Sequence, residues 1–238
     1  MGILQPKIKL FADGADLKEM QRAYSEGVVT GFTTNPTLMR KAGVTDYEEF
    51  AKAALAMIPD LPISFEVFSD DHKGMEREAR KISSWGKNVY IKIPITNTKG
   101  EYTTQLIEKL SNDGLKLNVT AIMTVEQVEI VSKALSTETP SIVSVFAGRI
   151  ADTGKDPLPI VREASKILKA NPKTELLWAC SREFLNIVHA ESCGCQIITV
   201  TSDILKKIPT SGKDLKELSL DAVKTFYNDA KTAGFRIE

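Results

Sequence analysis

Cysteine is scarce in this 238-residue chain, which holds Cys180, Cys193 and Cys195 and no others. An odd count cannot close a disulfide framework, and Cys193-Gly194-Cys195 is spaced too tightly for a CxxC redox pair. It also lacks the second ligand pair that a structural zinc site needs, so no metal site is expected. Buried free thiols in a reducing compartment are the expectation. An excess of either charge is missing as well: 31 basic residues balance 31 acidic ones, with no block of like sign. That argues against nucleic acid or a membrane surface as partner. No apolar run approaches the ~20 residues that span a bilayer. No cationic start followed by an apolar stretch marks a secretory leader, and a cytoplasmic location is expected. A GxGxxG turn after the first strand and a GxxxxGK[ST] phosphate loop are both absent.

What is present is repetition. With 42% hydrophobic and 26% charged residues the chain has an ordinary globular composition, and its length buries a core without covalent staples. Short runs rich in Ile, Val, Phe and Thr recur throughout: IKLFAD (8–13), GFTTN (31–35), ISFEVF (63–68), NVYIKIPI (88–95), LKLNVTAI (115–122), SIVSVFAG (141–148), ELLWACS (175–181) and QIITVT (196–201). Bounded by Gly, Pro, Asn or Asp, they read as strands. Helical periodicity fills the intervals. In residues 46–58, Phe50, Leu55 and Ile58 share a face; residues 124–135 open with a capping-box spacing; Pro157 and Pro159 suit a first helical turn. About eight βα cycles with no linker tract predict an α/β protein, a single (β/α)8 TIM barrel over residues 1–238. An open doubly wound sheet is the alternative, since periodicity does not give strand order. Residues 214–238 are expected to add a C-terminal helical extension, with Phe226 and Tyr227 packed into core, the alternatives being a cover over the barrel mouth or over a neighbouring subunit.

A polar residue stands at or near the C-terminal end of nearly every predicted strand. In order these are Asp13, Asn35, Glu66, Lys92, Asn118 with Thr120, Ser144 with Arg149, and Ser181. Each has an ordinary structural explanation: a helix cap for Asp13, a turn for Asn35, an ion pair with Asp152 or Asp156 for Arg149, a packing pair for Glu66 and Lys92. Together they fall on one rim, where barrel chemistry sits. Lys92 interrupts an apolar strand, and burial among apolar walls lowers the pKa of an amine, leaving it nucleophilic near neutrality. Such an amine condenses with a sugar carbonyl to an imine, with Glu66 and a hydroxyl moving protons. The imine accepts electrons from an adjacent carbon–carbon bond, and Asp13 is placed to serve as the second acid/base.

The motifs FADGAD (11–16), GFTTNP (31–36), IKIPIT (91–96), LNVTAI (117–122), VFAGRI (145–150) and WACS (178–181) resemble those of the transaldolase family, in chain order and across most of the sequence. The resemblance implies a (β/α)8 barrel of carbohydrate metabolism that uses a lysine Schiff base and no cofactor. It implies transfer of a dihydroxyacetone unit between sugar phosphates, with Lys92 as the Schiff-base lysine and Asp13 as acid/base for bond cleavage. Glu66 and Thr120 then hold the proton-shuttling water. Thr34, Asn35, Asn118, Ser144 and Phe146 line the site for the three-carbon unit, and Arg149, Ser181 and Arg182 the phosphate. It further implies a homo-oligomer. A related aldolase group performs simple cleavage and typically has Gln in place of Glu66 and Tyr in place of Phe146. A sugar-phosphate-binding protein without turnover is the alternative of another class. One departure concerns Cys180-Ser181-Arg182-Glu183, where the cation stands one position early. Strand alternation turns Arg182 away from Ser181 unless the chain has already left the strand.

Overall fold

The computed structural model of the protein describes residues 6–237. Eight parallel strands close into a barrel in chain order: β1 (Lys9–Asp13), β2 (Gly31–Thr33), β3 (Ile63–Glu66), β4 (Val89–Pro94), β5 (Leu117–Ile122), β6 (Ser141–Val145), β7 (Thr174–Trp178) and β8 (Ile197–Val200). β1 pairs with β8, completing the cylinder. The closed barrel is the predicted architecture, and the open sheet is excluded.

Helices fill the intervals: α1 (Leu17–Ser25), α2 (Pro36–Lys41), α3 (Tyr47–Met57), α4 (His72–Ser83), α5 (Thr104–Asn112), α6 (Val125–Ala134), α7 (Ala147–Ala151), α8 (Leu158–Leu168), α9 (Leu185–Ser192) and α10 (Ser202–Leu205). Their starts are written in the sequence. Asp16, Asp46 and Asp71 each accept hydrogen bonds from first-turn amides of α1, α3 and α4, and Thr124 with Gln127 forms the expected capping box of α6. Several strands are shorter than their apolar runs. β2 stops at Thr33 because Asn35 caps α2 and Pro36 opens it.

Side chains alternate in and out along each strand. On the inner face Phe11, Ile142, Leu177 and Ile197 form a buried apolar plug together with Ala179. It divides the inner face in two. Lys9 and Glu175 lie on the N-terminal side and bond at 2.8 Å; the polar strand ends lie on the other. Close packing makes Gly31 obligatory in the plug, since a β-carbon there would stand 2.5 Å from the Phe11 ring.

Residues 6–205 constitute one compact unit and hold the barrel. Residues 206–237 belong to a second, which contains a 3-10 turn (Ile208–Thr210) and α11 (Leu215–Ala233). Phe226 and Tyr227 are 73% and 67% exposed, which corrects the expectation that they pack into core. The reason is that α11 buries none of its residues, and Leu215, Leu218 and Val223 are exposed with them. Among the described residues no helix is long and apolar enough to cross a membrane. The thiols divide: Cys193 and Cys195 are buried as expected, whereas Cys180 is half-buried and lines the cavity described below.

Candidate active site

Above the apolar plug, at the C-terminal ends of the strands, opens a cavity of about 370 Å³. Lys92 lies at its wall on β4, with only 7% of its surface exposed. Register places Glu66 of β3 directly beside it and Asn118 of β5 on its other side. Nζ donates to the Thr34 carbonyl at 2.8 Å and to Glu66 Oε2 at 3.2 Å. The expected apolar walls are therefore corrected: a buried N–H donor needs acceptors, and a backbone carbonyl and a carboxylate supply them.

Asp13 ends β1 and faces the same cavity. It does not cap α1, a duty taken by Asp16. Its Oδ1 accepts from Thr33 Oγ1 at 2.8 Å, and Thr33 Oγ1 lies 2.5 Å from Thr199 Oγ1. Burial, the dominant influence, pushes the Asp13 carboxyl above the usual aspartate range against the opposing pull of Lys92 and Thr33; Glu66 adds to the rise. A carboxyl tuned upward can take and return a proton closer to neutral pH.

The next strands extend the polar wall. Ser144 Oγ donates to Asn118 Oδ1 at 2.7 Å, while Asn118 Nδ2 donates to Ser64 Oγ at 3.0 Å. This chain fixes which end of the Asn118 amide is donor and which is acceptor. Thr120 Oγ1 is buried, faces the cavity and has no hydrogen-bond partner among the described residues. The β5–β6 register shifts between Val119 and Ile122, and Ala121 takes φ of 61°. A bulge of this kind re-aims side chains at a barrel rim, and a left-handed alanine stores strain that the surroundings must hold.

The far side of the cavity is cationic. Arg149 on α7 stands 5.8 Å from the Phe146 ring centroid, and among the described residues it makes no ion pair. Asp152, one partner considered for it, is gripped by Arg182 through Nε at 3.0 Å and Nη2 at 2.6 Å. Arg182 Nη1 also donates to the Cys180 carbonyl at 2.8 Å. Arg182 thus touches the cavity rim with its fork already occupied, and the clamp holds Cys180 at φ of 62°. Gly148 allows α7 to approach this bend, because a β-carbon there would fall 1.7 Å from the Cys180 oxygen. Ser181 Oγ donates to the Thr199 carbonyl at 3.0 Å.

Twelve side chains named from the sequence therefore divide as follows. Eleven line the cavity, and Thr34 does not: its side chain is fully buried and its hydroxyl bonds to the Ser64 carbonyl. Thr33 takes its place, because alternation along β2 turns Gly31 and Thr33 inward and leaves Thr34 outward. Asn35 lines the cavity while its Oδ1 accepts from Leu38 N at 3.0 Å as the cap of α2. Thr199 was not singled out from the sequence; a threonine inside IITVT, in step with inward Ile197, was the available signal.

Comparison with known proteins bears on the family and the fold. A family model described as transaldolase/fructose-6-phosphate aldolase matches residues 10–237. A protein of Caldicellulosiruptor saccharolyticus named probable transaldolase is 37% identical over 203 residues, covering 84% of this chain and 89% of the relative. A Thermoanaerobacter protein of the same name is 36% identical over 232 residues, covering 97% of this chain and all of the relative. Among solved structures, a 2,3-dimethylmalate lyase superposes with a TM-score of 0.56 over 98% of this chain and 86% of its own, at 12% identity. That last likeness is one of fold alone.

Proposed function

The chain belongs to the transaldolase/fructose-6-phosphate aldolase family, and from that premise we propose that it is a transaldolase working through an imine on Lys92. The observation that carries the proposal is the placement of Lys92 Nζ 3.2 Å from Glu66 Oε2 in one cavity with Asp13. A ketose phosphate such as sedoheptulose 7-phosphate or fructose 6-phosphate enters with its phosphate toward Arg149 and Ser181, a charged donor and a hydroxyl. The Lys92 amine attacks the C2 carbonyl, forming a carbon–nitrogen bond. Glu66 and the unpartnered Thr120 hydroxyl manage the protons through a water, and the former carbonyl oxygen leaves as water. Asp13 then takes the C4 hydroxyl proton. The C3–C4 bond breaks, its electrons pass to the iminium nitrogen, and an aldose phosphate departs. The enamine left on Lys92 adds to the carbonyl carbon of a second aldose phosphate, glyceraldehyde 3-phosphate or erythrose 4-phosphate, with Asp13 returning the proton. Hydrolysis of the new imine frees Lys92. Asn35, Asn118 and Ser144 orient the hydroxyls of the three-carbon unit, which Phe146 flanks.

Glu66 and Phe146 favour transfer over lysis, since a carboxylate and a phenyl ring stand where the cleaving group typically has an amide and a phenol. The test is turnover of fructose 6-phosphate with and without erythrose 4-phosphate. Turnover that requires the acceptor supports the proposal; equal release of dihydroxyacetone without it makes the protein a lyase; no turnover with any ketose phosphate leaves a binding protein. The exposed apolar residues of α11 suit a self-associating surface. In a homo-oligomer built on it, Phe226→Asp lowers the sedimenting mass.

A further inference from the structure

The Glu66 carboxylate depends on where its backbone is held, and that backbone has lost one neighbouring strand. β2 covers β3 only as far as Thr33 opposite Ser64, with a last amide bond from Thr34 N to the Ser64 carbonyl at 3.3 Å. Beyond it Asn35 and Pro36 carry the chain into α2. Glu66 pairs with Lys92 of β4 on one side. On its other side its N–H and carbonyl have no strand to meet, and such groups are costly to leave unpaired.

A single hydroxyl meets both. Glu66 N donates to Tyr47 Oη at 2.7 Å, and Tyr47 Oη donates to the Glu66 carbonyl at 2.9 Å. A phenol can accept and donate at once, so it replaces the missing stretch of β2. Burial holds the Tyr47 hydroxyl in its protonated, donating form well above the usual range. Topology accounts for the meeting across 19 residues. Tyr47 is the first residue of α3, which leads into β3 and runs back along it, bringing the start of the helix beside the end of the strand. The ring is fixed by packing at 4.6 Å from Phe68, 5.6 Å from Trp85 and 6.2 Å from Phe65, measured between centroids.

We infer that Tyr47 is a positioning residue for the reaction: its hydroxyl fixes the end of β3 so that the Glu66 carboxylate stays in register with Lys92 Nζ. This rests on the function proposed above, in which Glu66 moves protons at the Lys92 imine. The 3.2 Å contact is longer than an ordinary charge-assisted bond of about 2.7–2.9 Å, so a small drift of the β3 terminus breaks it.

Tyr47→Phe removes the hydroxyl and keeps the ring. It is expected to lower kcat about 10- to 100-fold, the scale of a misplaced catalytic group, with KM within about twofold. The loss should vanish in a Glu66→Gln background, because the two changes disable one element. Trp85→Phe loosens the same aromatic cluster without touching the hydroxyl, and is expected to lower Tm while kcat stays within about twofold. The inference falls if Tyr47→Phe keeps full kcat, if its effect multiplies with that of Glu66→Gln, or if Trp85→Phe loses as much kcat. Wild-type protein without turnover overturns the proposed function, and this inference with it. An active wild type beside an unaffected Tyr47→Phe overturns the inference alone.

Discussion

Two lysine–glutamate pairs lie on opposite sides of the apolar plug on the inner face of the barrel. Lys9 and Glu175 meet at 2.8 Å with side chains 52% and 30% exposed; Lys92 and Glu66 meet at 3.2 Å with side chains 9% and 21% exposed. The closer pair is the less consequential. Water screens it, and exposed pairs contribute about 0–1 kcal/mol. The looser pair is shielded from bulk water, shares its amine with the Thr34 carbonyl, and opens on a cavity that also holds Asp13. Surroundings, and not the identity of the two residues, separate the screened pair from the one to which the proposed function assigns imine chemistry.

The sharpest way to break that contrast is to remove each lysine in turn. Lys92→Met is expected to reduce kcat/KM by at least about 10⁴-fold, since the nucleophile has no substitute. Tm is expected to stay near that of the wild type, because Glu66 lines the cavity, where water can solvate it. Unfolding of this variant would show that the lysine serves packing instead.

Asp13→Asn comes next, with kcat expected to fall about 10²- to 10⁴-fold, the usual contribution of a general acid/base. The imine should still form, so a trapped adduct accumulates with intact donor. Stability should move the other way. The folded carboxyl is raised above its ordinary value of 3.8, so its favourable contribution is complete below that pH and is lost as pH rises through the folded value. Above pH 3.8 folding must either protonate this carboxyl or bury its charge, so at neutral pH Asp13 opposes folding. Asp13→Asn should raise Tm at pH 7, with the gain shrinking toward pH 3.8, as thermal melts across that range would show.

Arg149→Ala is expected to raise KM for phosphorylated donors about 10-fold and to leave unphosphorylated dihydroxyacetone donors unaffected, the mark of a lost phosphate contact. Arg182→Ala should act through Asp152 and Cys180 and change KM less. The smallest effect belongs to Lys9→Met, expected to cost less than about 1 kcal/mol in denaturant unfolding with kcat unchanged. A large activity loss there would erase the distinction between the two sides of the plug.

The eight strands were legible because β-branched runs alternate with capped helices throughout, and their polar C-terminal ends announced the rim. Features that depend on where one strand stops were not. The end of β2 decides that Thr33 faces inward, that the Thr34 carbonyl reaches Lys92, and that Glu66 needs Tyr47; a backbone carbonyl leaves no mark in a sequence. The occupied fork of Arg182 required knowing that Asp152 returns beside it. β7 ends at Trp178, so alternation does not govern Ser181 and Arg182, and both line the cavity, Arg182 with its guanidinium held by Asp152.

The most direct measurement is borohydride reduction of the protein in the presence of fructose 6-phosphate, followed by peptide mapping. The account predicts one stoichiometric adduct carrying a three-carbon unit, located on Lys92 and absent from Lys92→Met. An unmodified chain under conditions of turnover, or an adduct on Lys9 or another surface lysine that forms equally in Lys92→Met, would contradict it.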